Sequence, residues 1–88
     1  MMENKILIKL TLPEFDSSFD IFIPVNEIIW KIKKMILKCV CDLTNIQIDQ
    51  SKEYILLNKD TCKVYNENEI IIDTDIRNST ELILIKKN

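Results

Sequence analysis

Hydrophobic and polar positions alternate near both ends of this chain and recur with a helical period in between. In residues 5–11, Ile6, Ile8 and Leu10 fall on one side of an extended chain, with Leu7 and Lys9 on the other. Phe19, Ile21 and Ile23 alternate with Asp20 and Phe22 in residues 19–23. A period of two predicts half-buried strands, and the intervening Pro13, Asp16, Ser17 and Ser18 predict a turn, so these segments form a hairpin. The period changes across residues 24–45. At about 100° per residue, Val25, Ile28, Ile29, Ile32, Met35, Ile36, Cys39 and Leu43 share one broad arc of a helix. Asn26 is the expected N-cap and Asn45 the expected left-handed residue after the last turn.

Beyond residues 47–52, which read as a polar loop, Tyr54, Ile55, Leu56 and Leu57 make a continuous apolar run, the mark of a strand packed on both faces or nearly so. Asn58-Lys59-Asp60 predicts a turn in which Asn58 supplies the positive φ, since the chain contains no Gly. Residues 62–65 predict a short edge strand and 70–72 a return of apolar residues to the core. Residues 73–80 form a loop anchored by Ile76, and 81–86 the final strand, with Leu82 and Leu84 opposite Ile83 and Ile85. The order is ββαβββ with one strand short. A single amphipathic helix among strands needs a sheet to lie on, so the expected core joins Ile28, Ile32, Ile36 and Cys39 to Ile6, Ile8, Ile21, Leu56, Leu82 and Leu84.

Eighty-eight residues predict one domain over 1–88, small enough that one helix-on-sheet core is about its limit. The net charge of −2 gives no reason to expect nucleic acid, although the charges are uneven. Residues 1–41 carry six Lys and five acids, whereas 42–81 carry four basic residues and nine acids. No apolar stretch approaches the ~18–20 residues of a membrane span, and no signal-peptide pattern opens the chain. Cys39, Cys41 and Cys62 are odd in number, and the first two diverge by about 200° on a helix, so reduced thiols in the cytoplasm are expected.

Candidate chemistry is sparse. There is no His, and a Cys-x-Cys pair on a helix does not converge, so no metal site is expected. No nucleophile–base pair is visible, Asp73 and Asp75 suit a turn better than a carboxylate pair, and a glycine-rich phosphate loop is impossible. Lys31, Lys33, Lys34 and Lys38 read as a solvated helix back. No catalytic residue, cofactor or metal ligand is therefore assigned. Two features remain as candidates. Trp30, Leu37 and Cys41 form a second apolar strip opposite the helix's core arc, and Cys41 or Cys62 could serve a thiol-based carrier or redox protein.

The order of elements resembles the α+β, ubiquitin-like β-grasp fold: one helix packed across a mixed four- to five-stranded sheet. The stretch from Asp75-Ile76-Arg77 through Leu82-Ile83-Leu84-Ile85 resembles the loop and last strand of ubiquitin-like domains, and Tyr54-Ile55-Leu56-Leu57-Asn58-Lys59 resembles the third strand and its turn. Within that superfamily, Phe19-Asp20-Ile21-Phe22-Ile23-Pro24-Val25 leading into the helix and the Leu57-Asn58-Lys59 turn are similar to the YukD/EsaB proteins of bacterial type VII (ESX-type) secretion systems. The resemblance covers about residues 5–86 and implies a cytosolic accessory or regulatory component without enzymatic activity. It carries no site residues.

Conjugated ubiquitins and sulfur carriers end in Gly-Gly; this sequence ends Ile85-Lys86-Lys87-Asn88, so neither activity is expected. The β-grasp order places the first and last strands at the sheet centre. Alternation then assigns Leu7, Phe22, Ile55, Leu57, Ile83 and Ile85 to the face away from the helix, which is where ubiquitin meets its partners. A face expected to be polar is instead aliphatic and aromatic, and this predicts a contiguous surface for a homodimer or for a protein partner from the secretion system.

Overall fold

The computed structural model describes residues 4–49 and 52–87. Strand β1 (Lys5–Leu12) and strand β2 (Ser17–Pro24) pair antiparallel through eight positions, from Lys5 opposite Pro24 to Leu12 opposite Ser17. The turn between them is tighter than a plain loop. Pro13–Phe15 winds as a 3-10 turn, with Pro at a position where its missing N–H costs nothing. Asp16 closes it in the left-handed region, φ 49°, and donates its N–H to the Pro13 carbonyl at 3.1 Å.

Strand β4 (Glu81–Lys86) lies parallel to β1, with Leu10 beside Leu82, and strand β3 (Tyr54–Asn58) runs antiparallel to β4. The order across the sheet is β2-β1-β4-β3, with the first and last strands central as expected. Residues 62–65 do not add a fifth strand. Cys62 takes φ 61°, where a turn from Asn58 reverses the chain, and only Val64 bridges back to Leu57. The positive φ expected at Asn58 therefore sits four residues later. Asn58 stays extended, and its buried side chain accepts from the N–H groups of Asp60 and Thr61. Residues 70–72 likewise return only Ile71 to the core. A 3-10 turn at Ile71–Asp73 points Ile70 and Ile72 outward, while Ile76 anchors the loop as expected.

Helix α1 (Ile29–Thr44) begins later than its hydrophobic period suggests, because residues 25–27 form a turn. Asn26 is not its cap. Ile28 holds the cap position in extended geometry without a side-chain bond, and the first amides are satisfied by another part of the chain. Ile29 donates to the Glu69 carbonyl at 2.8 Å and Trp30 to that of Glu67 at 3.2 Å. At the other end Asn45 adopts φ 58° and donates to the Cys41 carbonyl, the role expected of it.

The buried arc of α1 is Ile29, Ile32, Ile36, Leu37 and Val40, rotated from the expected one. Leu43 is 68% exposed, and Cys39 and Ile28 are only half-buried. Residues 25–28 precede the helix, so their apolar side chains pull the apparent arc off its true axis. The helix edge bearing Leu37 lies against β3, where Lys33 Nζ donates to the Tyr54 carbonyl at 2.8 Å. Across this interface the helix meets Ile8, Leu10, Leu12, Ile21, Ile23, Leu56, Leu82 and Leu84 in one core. Ile6 is at its margin.

Two buried tyrosines tie the irregular segments to that core. Tyr65 donates to Asp75 and accepts from the Asn58 amide, joining the turn after β3 to the loop before β4. Tyr54 donates to Glu14 at 3.1 Å, joining β3 to the hairpin turn. Burial, reinforced by the carboxylate partner, pushes both hydroxyls up to about 12; at Tyr65 the Asn58 amide opposes the shift.

Three outcomes follow for stability. Ile32 has no exposed surface, so Ile32→Ala should cost about 2–5 kcal/mol in a denaturant titration, and a loss of a few tenths would mean that the helix packs by another face. The tyrosines hold their protons longer folded than unfolded, so stability should be unaffected below the ordinary tyrosine pKa of 10.0 and fall as pH rises from there to about 12. Tyr65→Phe should cost about 1–2 kcal/mol at neutral pH by stranding Asn58. It should also roughly halve the alkaline slope, measured by chemical denaturation at several pH values, since one of the two titrating groups is gone.

Candidate interaction surface

The sheet face away from α1 is built by register. Reading across it, Ile55 lies opposite Ile85, and Leu57 opposite Ile83, which in turn neighbours Thr11. The next row is charged from edge to edge. Glu81 sits beside Lys9, Lys9 opposite Asp20, and Lys59 Nζ lies 3.4 Å from Glu81 Oε2. Lys59, Glu81, Lys9 and Asp20 thus alternate in sign across the whole sheet, the favourable cross-strand order. Beyond that row Leu7 lies opposite Phe22.

All six expected residues point away from the helix, but the register does not join them into one patch. The charged row separates the Leu7–Phe22 pair from Ile55, Leu57, Ile83 and Ile85. The latter four are half-buried by one another, whereas Phe22 on the edge strand is 63% exposed. The larger group gains a member that pattern reasoning missed: Val64, bridged to Leu57 and exposed, extends the aliphatic surface past the edge of β3. Its alternation with the buried Tyr65 was the available signal.

The second expected surface does not survive as a strip. Leu37 is 4% exposed and belongs to the core; Cys41 is half-buried, and Trp30 alone is open, at 39%. Trp30 and Leu37 instead line a cleft of about 330 Å³ between α1 and β3, with Lys33, Lys34, Lys52, Glu53, Tyr54 and Glu67. Lys33 donates to the Tyr54 carbonyl and to Glu67 Oε1 at 2.7 Å. Cys39 is half-buried and Cys62 exposed on the turn after β3. Among the described residues no group of three or more Cys, Asp or Glu is placed to hold a metal ion, and no helix is long and apolar enough to cross a membrane.

One helix across a mixed four-stranded sheet in this order is the ubiquitin-like β-grasp fold. The ubiquitin-like domain of Plasmodium falciparum Dsk2 is similar, with a TM-score of 0.72 and 12% identity over 96% of this chain and 100% of that one. A chain of an ESX-5 inner membrane complex matches 94% of this chain with a TM-score of 0.77 and 10% identity, the match covering 21% of that chain's own length. A chain of a toluene 4-monooxygenase complex matches with a TM-score of 0.78 at 4% identity, over 96% of this chain and 100% of its own. At such identities the likeness is one of fold, and the same fold serves unrelated functions. No protein-family model and no curated protein sequence matches the chain.

Proposed function

We propose that this chain is a non-catalytic protein-interaction module that binds its partner through the β3–β4 half of the outer sheet face. The observation that carries this reading is the aliphatic group Ile55, Leu57, Val64, Ile83 and Ile85 on the side of the sheet away from α1, with Val64 exposed and the other four half-buried. A sheet with one wet face reads polar there unless something else packs on it. The row of alternating charges beside the patch suits the polar rim of an interface, which fixes orientation while the apolar centre supplies affinity.

The partner we propose is a component of a type VII secretion system, with the module acting in the cytoplasm as an accessory or regulatory subunit. Support comes from the resemblance to YukD/EsaB proteins and from the shared fold of a chain in the ESX-5 inner membrane complex. A gene neighbourhood holding a secretion ATPase and small helical WXG-type substrates is the expected setting, and a locus with neither counts against it. At the protein level, a Val64→Asp, Ile83→Asp double variant should lose co-elution with the cytosolic part of that ATPase, while Phe22→Asp, across the charged row, retains it. A double variant that keeps its circular dichroism spectrum and still co-elutes would exclude this face.

A further inference from the structure

The helix side of the molecule carries a different surface. Trp30, Lys31, Lys34 and Lys38 share an arc of about 100° on the solvent side of α1. The Nζ atoms of Lys31 and Lys34 lie 5.6 and 5.3 Å from the Trp30 ring centroid. Ammonium groups at that range are attracted by the ring, so two positive charges are gathered around the tryptophan. The cleft it lines also includes Leu37, Tyr54 and Lys52.

The carboxylates of the cleft are already engaged: Glu67 with Lys33 at 2.7 Å and Glu53 with Lys87 at 3.5 Å. Among the described residues no ion pair engages Lys31, Lys34, Lys38 or Lys52. Glu67 is exposed, yet its carboxyl is held below the usual range by its hydrogen bond and ion pair with Lys33 and, more weakly, by Lys34. The local field is therefore positive, in a chain whose net charge is −2.

We propose that this cleft docks an acidic segment of a partner protein, with carboxylates meeting Lys34 and Lys52 in the cleft and Lys31 and Lys38 on the adjoining surface of α1, and with one apolar side chain seated on Trp30. Charge complementarity selects the carboxylates, and the exposed indole beside Leu37 and Tyr54 selects the anchor. A nucleic-acid strand fits less well, because one aromatic ring offers a single stacking platform and the strand would pass Glu53 and Glu67. An anionic bilayer is also disfavoured, since Trp30 lines a cleft instead of standing on an apolar convex face. The cleft and the outer sheet face meet around the edge of β3, where a second hollow runs from Lys33, Glu53 and Glu67 to Ile55 and Val64. Lys34 and Lys52 belong to the cleft and Ile83 to the sheet face, so variants at these positions test the two separately.

Trp30 is the chain's single tryptophan, so its emission reports on this site directly. The wild-type chain is titrated with a synthetic peptide of alternating glutamate and leucine, with the same peptide bearing lysine for glutamate, with single-stranded DNA and with phosphatidylglycerol vesicles. The acidic peptide should shift Trp30 emission to the blue, with an affinity that falls as salt is raised. The lysine peptide should give no shift. Lys34→Glu with Lys52→Glu should weaken acidic-peptide binding about tenfold or more with unchanged thermal unfolding, both side chains being exposed. Lys34→Gln should give a smaller loss and serves if the double variant does not fold. Equal binding of both peptides, binding unaltered in the folded variants, or a response to DNA or vesicles but not to the acidic peptide would overturn the proposal.

Discussion

The parallel pairing of β1 with β4 is the constraint on which the rest of this molecule depends. It joins residues about seventy positions apart, Lys9 beside Glu81 and Leu10 beside Leu82, at the centre of the sheet. Parallel neighbours need a crossover, and here everything from β2 to the loop before β4 serves as one. Helix α1 can bury Ile29, Ile32 and Ile36 only because that pairing sets Ile8, Leu10, Leu82 and Leu84 side by side beneath it. The entry to β4 is secured by backbone bonds to β1, from Ser79 to the Leu7 carbonyl and from Lys9 to the Thr80 carbonyl.

Around this centre the irregular segments work as structure instead of spacers. Residues 66–73 supply the carbonyls that accept from the first amides of α1, and they bring Ile71 into the core. Tyr65 fastens the preceding turn to the next loop through Asn58 and Asp75. A chain with no Gly makes its tight turns by placing Asp16, Asn45, Cys62 and Ser79 in the left-handed region. Asp and Asn tolerate that conformation well, Cys and Ser less so, and the turns at Cys62 and Ser79 are held by flanking backbone bonds.

The two surfaces proposed for binding differ in kind. The outer sheet face is aliphatic, bounded by a row of charges that alternate in sign. The cleft beside α1 is basic and aromatic, with lysines that the described chain leaves without carboxylate partners. The two adjoin around the edge of β3, where Glu53 and Glu67 stand near Ile55 and Val64.

The alternation in β1, β2 and β4, the single helical period and the Asn45 terminus were all legible in the sequence, because each depends on the local geometry of strand or helix. The sequence also separated the inner residues of the sheet from the outer ones, since a period of two admits only that division. Three matters were left to the tertiary structure. The start of α1 depends on carbonyls some forty residues away, so Asn26 offered a cap that was not needed. The rotation of the helix depends on contact with β3, which took Leu37 from a supposed surface strip into the core. The division of the outer face by a charged row depends on register between strands remote in the chain. Alternation says which side a residue faces but not which residue it stands beside, and only the pairing of β1 with β4 decides that.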